Sequence, residues 1–273
     1  MTLTAWSAVL AAPAAGDHIA QLYTDPGFLA RAVSCFAGDG LRRGDAVVLV
    51  TTPAHRDAVA RHLERDGFAV PDRQRQGQLT VLDAAETLSA ILVDGMPDAT
   101  RFHAVIGGVI DAANAAGHGT ARGFGEMVDI LRHRSLPATL RLEALWGELL
   151  VTRKLSLLCG YSLDNFDRRV HRGILQRVSA LHSHLIPVED YARLEDAVEQ
   201  AFADVFGAGG DAPGLRRLFL ATFDRPAAMP DAEALILAAR HLAPTTADVL
   251  VDRVRHHYLR EGVPDVAPFA TPR

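Results

Sequence analysis

Three short stretches bring charge, hydroxyls and glycine together. In ARGFGEM (121–127), Arg122 and Glu126 flank Phe124, which sits between two glycines. Glycine allows close backbone approach, and the two charged groups could orient a bound molecule or pair with each other. In TTPAH (51–55), Thr51 and Thr52 precede Pro53 and follow the apolar run Val47–Val50. Buried strand, tight loop and helix start form the setting in which phosphates are held. A phosphate loop also needs glycines, a lysine and a magnesium-binding hydroxyl. There is no glycine between Asp45 and Asp66, and the only lysine, Lys154, lies elsewhere. Nucleotide hydrolysis is therefore not expected. Weak anion binding at Thr51–Thr52 and a plain strand–helix connection both stay open. In HIAQLY (18–23), His18 and Tyr23 are five apart and point to opposite faces of a regular strand. Glu143, in RLEALWGELL, flanks an apolar stripe and is read as solvated or paired with Arg122.

Other chemistries find little support. The chain has 12 histidines, and His182 and His184 form an HSH motif. In a helix, residues two apart do not face each other. His133 and the pair His256–His257 lack Cys or carboxylate partners at ligand spacing. No metal site is expected. Cys35 and Cys159 sit in apolar patterns and read as small buried hydrophobes. Neither G-x-S-x-G nor H-E-x-x-H occurs, so those hydrolase signatures are absent. A net charge of −5 argues against a nucleic-acid partner. No apolar run reaches the roughly 18–20 residues of a membrane span, so a cytoplasmic protein without a membrane partner is expected. The first 15 residues are Ala-rich but carry no Lys or Arg. They read as a loose or helical arm rather than a signal peptide.

These residues need elements to position them. Strand-like runs at 18–23, 46–50, 78–84, 120–127 and 155–161 alternate with helical patterns at 25–44, 53–66, 99–119 and 138–154. That alternation predicts an α/β domain with a mostly parallel sheet flanked by helices. Ile174, Val178, Leu181 and Leu185 then keep helical spacing, as do Leu194, Val198, Phe202 and Val205. The predicted layout is an arm (1–15), an α/β domain (16–187), an all-helical segment (188–262) and a disordered tail (263–273).

Taken in order, HIAQLYTDPGFLARAVSCFAGDGLRRGDAVVLVTTPAHRDAV, ARGFGEMVDIL, LEALWGELL, LLCGYSLDNF and LHSHLIP resemble the MEDS family, the methanogen/methylotroph sensory domain of DcmR-type regulators. The resemblance covers about Gly16 to Pro187. It implies a RecA/KaiC-like fold whose nucleotide motif has decayed, and a role as a small-molecule sensor joined to an output. No histidine-kinase motif or DNA-binding helix-turn-helix follows.

The leading expectation is a non-enzymatic sensory protein that binds a small molecule and signals to a protein partner, or a second copy, through its C-terminal helices. The alternative is an ATP-binding switch or enzyme with a non-standard loop. Ligands of open parallel sheets sit at the carboxyl ends of the strands. The expected binding residues are His18, Tyr23, Thr51, Thr52, Arg122, Phe124, Glu126, Glu143 and Tyr161. No cofactor or ligand is identified by sequence. A helical stripe as apolar as Leu194–Val205 is expected to need a partner surface, supplied either by another protein or copy or by the α/β domain itself.

Overall fold

The computed structural model describes residues 5–224 and 229–260. Its strands are β1 (His18–Leu22), β2 (Ala46–Thr51), β3 (Leu79–Asp83), the short β4 (Leu92–Val93) and β5 (Met96–Pro97), β6 (Ala121–Gly125), β7 (Leu155–Tyr161) and β8 (His184–Ile186). The helices are α1 (Ala5–Ala11), α2 (Pro26–Arg43), α3 (Pro53–Arg65), α4 (Val70–Arg75), α5 (Ala84–Ile91), α6 (Ala99–Phe102), α7 (Gly108–Ala115), α8 (Met127–Arg132), α9 (Leu136–Thr152), α10 (Arg168–Arg172), α11 (Ile174–Leu181), α12 (Tyr191–Phe206), α13 (Ala212–Thr222), α14 (Asp231–Leu242) and α15 (Pro244–Arg260).

Six strands form one parallel sheet in the order β3-β2-β6-β7-β1-β8, while β4 and β5 make a separate antiparallel pair. Strands β1, β2, β6 and β7 are buried along their whole length, as in a parallel sheet covered on both faces, and β2 and β7 carry the apolar runs typical of such strands. Several of the helices start where a side-chain carboxylate meets their free amides. Asp25 caps α2, accepting from the Gly27 and Phe28 amides, and Asp83 caps α5 in the same way.

Register sorts the side chains onto two faces. His18 aligns with Leu157, Ala20 with Cys159 and Leu22 with Tyr161, so His18, Cys159 and Tyr161 share one face. That face is covered by α9, whose Leu142, Leu145, Trp146 and Leu149 are all buried. Arg122 aligns with Val47 and Ser156, and Phe124 with Leu49 and Leu158. These point to the opposite face, under α2. Gly160 opens that face to close packing, because a Cβ there would lie 3.4 Å from both Leu29 Cδ1 and a Phe124 ring carbon.

The predicted helix over 99–119 is interrupted. A π-turn over His103–Gly107 separates α6 from α7, and Gly117, with φ of 80°, lies just past the end. The helical stripe drawn through Leu185 is also corrected. α11 stops at Leu181, the Ser183 amide donates to the His18 carbonyl at 2.7 Å, and Leu185 enters β8 opposite Ala20. A three-residue strand is too short to show an alternating pattern. Cys35, expected buried, is exposed.

Residues 5–165 with Ile174–Glu189 form one compact unit; Phe166–Gly173, 190–224 and 230–260 form a second. In the second unit, α12 packs against α13, α14 and α15. Phe202 stacks with Phe206 and meets Phe219 edge-on, and Leu194, Val198 and Phe202 are buried. The stripe predicted to need a partner is therefore covered by helices of its own unit. The predicted tail at 263–273, and residues 1–4 of the predicted arm, lie outside the described residues.

Gly40, within α2, faces the Arg122 side chain. A Cβ there would lie 2.6 Å from Arg122 Cδ and 2.9 Å from its Nε. Those atoms are pinned by hydrogen bonds and cannot swing aside. Gly40→Ala is expected to lower stability by about 1 kcal/mol in urea unfolding, because overpacking outweighs the gain in helix propensity. A stabilised variant would show that the guanidinium yields.

Candidate functional site

The expected binding residues divide into two clusters on opposite faces, with two residues left in structural roles. The first cluster lies at the carboxyl edge. Glu126 follows β6 directly, and its amide donates to the Val50 carbonyl at 3.1 Å, which holds it beside the end of β2. Its Oε2 accepts from Thr51 Oγ1 at 2.6 Å, the Thr52 amide at 2.7 Å and Thr52 Oγ1 at 3.2 Å. Its Oε1 accepts from His55 Nδ1 in a close ion-pair contact. Thr52 occupies the N-cap position of α3 without capping it through its own side chain, and Pro53 follows. The protein's own carboxylate thus occupies the position at the helix start where a phosphate would bind. Carboxylates are favoured there by the free amide and by the helix dipole. Glu126 is 2 % exposed. Its hydrogen bond raises the His55 pKa above the ordinary histidine value, against a smaller opposing effect of burial, and the charges of Glu126 and Asp129 add to the rise. The Tyr23 ring meets the His55 ring edge-on at 5.8 Å. Burial, with Asp129 and Glu126 nearby, pushes the Tyr23 hydroxyl well up, so it remains a donor.

The second cluster lies under α9. His18 Nε2 is 3.2 Å from Glu143 Oε2, and Tyr161 donates its hydroxyl to Glu143 Oε1 in a close contact. Cys159 Sγ is 3.4 Å from His18 Nε2. The His18 and His182 rings lie with centroids 3.9 Å apart, and His182 Nε2 is 3.8 Å from Glu143 Oε2. All five residues are buried. Burial pushes the Glu143 carboxyl up, but His182, His18 and Tyr161 more than offset this and hold it below the usual carboxylate range. Burial lowers His182 to about 3 and keeps it neutral. Burial also raises the Cys159 thiol and the Tyr161 hydroxyl, with Glu143 adding to each shift.

Several expectations are corrected here. Glu143 is neither solvated nor near a partnership with Arg122. It is held by His18 and Tyr161, groups that approach only when β1, β7 and α9 pack. Arg122 pairs with neither carboxylate of the candidate site. Its Nε donates to Asp45 Oδ2 at 2.8 Å, and its other nitrogens donate to the carbonyls of Leu10, Phe36 and Ala11. The room expected beside Gly123 and Gly125 is filled by Leu157 and Trp146, and Phe124 is wholly buried. Helical spacing argues against His182, yet it lies just beyond the end of α11 and is buried, while His184 faces Asp17 at 3.5 Å. Sequence reasoning missed His55, His182 and Cys159 as site members. The position of His55 three residues after Thr52, in the first turn of α3, was the available signal.

The parallel sheet flanked by helices, with a β2–loop–α3 stretch that holds neither glycine nor lysine, is the architecture that the family resemblance implies. The family profile described as MEDS, the MEthanogen/methylotroph, DcmR Sensory domain, matches residues 17–182. The chain belongs to this family of sensory, non-catalytic modules, here with a C-terminal helical extension. No curated protein sequence matches the chain. Among the described residues, no helix is long and apolar enough to cross a membrane.

Proposed function

We propose that this protein is a cytoplasmic sensor that binds a small molecule at the carboxyl edge of its sheet and signals through its helical unit to a protein partner or a second copy. The observation that supports this most directly is the self-filled anion position at Glu126. Thr51, Thr52 and His55 offer donors that a ligand's acceptor group could take over, with Tyr23 beside them. Releasing Glu126 gives the edge two states, latched and unlatched. A ligand shifts such an equilibrium only by preferring one state. His18, Glu143 and Tyr161 belong to the same reading as buried support on the other face. Arg122 and Phe124 leave the proposed site, because both are committed to packing.

Chemical stability measured against a panel of small molecules tests the reading. A true ligand at a hundred times its dissociation constant raises stability by about 2.7 kcal/mol, and Glu126→Gln should change its affinity. ATP with magnesium is expected to give no such rise, because Glu126 and the missing glycines and lysine leave no phosphate cradle. A nucleotide-dependent rise that disappears in Thr51→Val or Thr52→Val would restore the nucleotide-switch alternative.

A further inference from the structure

Four donor groups from distant parts of the chain meet beneath α9, and their protons are arranged unusually. His18 Nδ1 lies 3.0 Å from the Leu181 carbonyl oxygen, and His182 Nδ1 lies 2.7 Å from that of Val178. Carbonyl oxygens only accept, so each ring donates through Nδ1 and turns Nε2 toward the cluster, where His182, kept neutral by burial, presents a lone pair. Both Nε2 atoms face Glu143 Oε2, at 3.2 and 3.8 Å. Among the described residues, neither His182 Nε2 nor Glu143 Oε2 has a hydrogen-bond partner, and both are buried. Acceptors turned toward one another away from water are costly. An added proton on His18 would relieve its contact with Glu143 and leave His182 unsatisfied. A cation among them satisfies all the acceptors at once.

We propose that His18 Nε2, His182 Nε2, Glu143 Oε2 and Cys159 Sγ ligate one divalent transition-metal ion of the zinc class. The four donor atoms lie within 4.8 Å of one another. Tetrahedral zinc with nitrogen, oxygen and sulfur ligands places its donor atoms about 3.3–3.6 Å apart. The separations of 3.2, 3.4 and 3.8 Å bracket that spacing. A thiolate with two imidazoles suits zinc, cobalt or ferrous iron rather than magnesium or calcium. Thiolate and carboxylate together neutralise a divalent charge, which suits a buried site. Binding of the ion through Cys159 Sγ releases the thiol proton to solvent, because the thiolate is the form that ligates. Tyr161 holds Oε1 and leaves Oε2 as the single carboxylate ligand, while the two backbone carbonyls fix the rings, as outer partners do in metal sites. All four positions come from the protein, which marks a structural or regulatory ion rather than one that activates water.

The test uses the full chain without a histidine tag, stripped with chelator and titrated with Co²⁺ and then Zn²⁺. One ion per chain is expected, with the visible bands of tetrahedral cobalt and a thiolate-to-cobalt charge-transfer band that Zn²⁺ abolishes. The charge-transfer band should vanish in Cys159→Ser and persist in Cys35→Ser. Tyr161→Phe should weaken binding by about tenfold or more while the cobalt spectrum keeps its form. A folded chain that binds no stoichiometric cobalt overturns the proposal. So does a charge-transfer band that survives Cys159→Ser or disappears with Cys35→Ser. If Cys159→Ser does not fold, the Cys35→Ser result with His182→Gln decides: stoichiometry and spectrum unchanged in His182→Gln would place the ion elsewhere. The carboxyl-edge ligand site lies on the opposite face, so its fate is read separately.

Discussion

Asp45→Ala is expected to cost the α/β unit about 3–5 kcal/mol, the range for removing one partner of a buried ion pair. Arg122 is 2 % exposed, and among the described residues its only carboxylate contact is the 2.8 Å bond from Nε to Asp45 Oδ2. The three carbonyl oxygens around it can solvate the guanidinium but carry no net charge. Asp45 also accepts from the Thr120 amide through Oδ1 at 3.1 Å, so the turn into β6 loses its anchor as well. Arg122→Met removes the buried charge instead of stranding it, and should cost less than Asp45→Ala. Both tryptophans, Trp6 and Trp146, lie in the α/β unit, so their fluorescence in urea reports that unit alone. A loss below about 1 kcal/mol in Asp45→Ala, the range of exposed pairs, would mean that water reaches the guanidinium.

Glu126→Ala should cost about 2–4 kcal/mol, since hydrogen bonds to charged groups contribute about 1.5–3 kcal/mol and partners left unmade add a penalty. The same variant should change how stability depends on pH. The folded pKa of His55 is raised, so its pairing contributes fully below the ordinary histidine value of about 6.5 and is lost as pH rises through the folded value. Wild-type stability should therefore carry a component that falls with rising pH in that window. Glu126→Gln should remove this component and return the His55 titration toward or below its ordinary value. Asp129 remains nearby in the variant and keeps a small upward pull. Ring-proton NMR titration of His55 checks the shift directly. An unchanged His55 titration in Glu126→Gln would refute the latch.

The α/β architecture is legible because each element carries a local signal. Val47–Val50 reads as a strand buried on both faces, Pro53 marks a helix start, and Leu142, Leu145, Trp146 and Leu149 give a face. Periodicity says which way a side chain points but not what waits there. Glu143 looks solvated because its neighbours along the helix say nothing about His18, 125 positions earlier, or Tyr161, 18 positions later. His182 looks misplaced for ligation because spacing assumes that the helix continues, whereas α11 ends one residue before it. Arg122 and Glu126 fit the spacing of a local pair, but each finds a partner brought alongside by β2 or α3. Motif resemblance carried the family assignment where physical signals alone gave only the fold class.

β1 belongs to both clusters. It is five residues long, roughly 16 Å, with His18 at its start on one face and Tyr23 just past its end on the other. The Tyr23 amide donates to the Tyr161 carbonyl at 2.9 Å, which ties that end to the strand carrying Cys159. If occupancy of the buried cluster changes affinity at the carboxyl edge by some factor, occupancy of the edge must change affinity at the buried cluster by the same factor. Linkage of that kind would let metal supply set the threshold at which the edge responds.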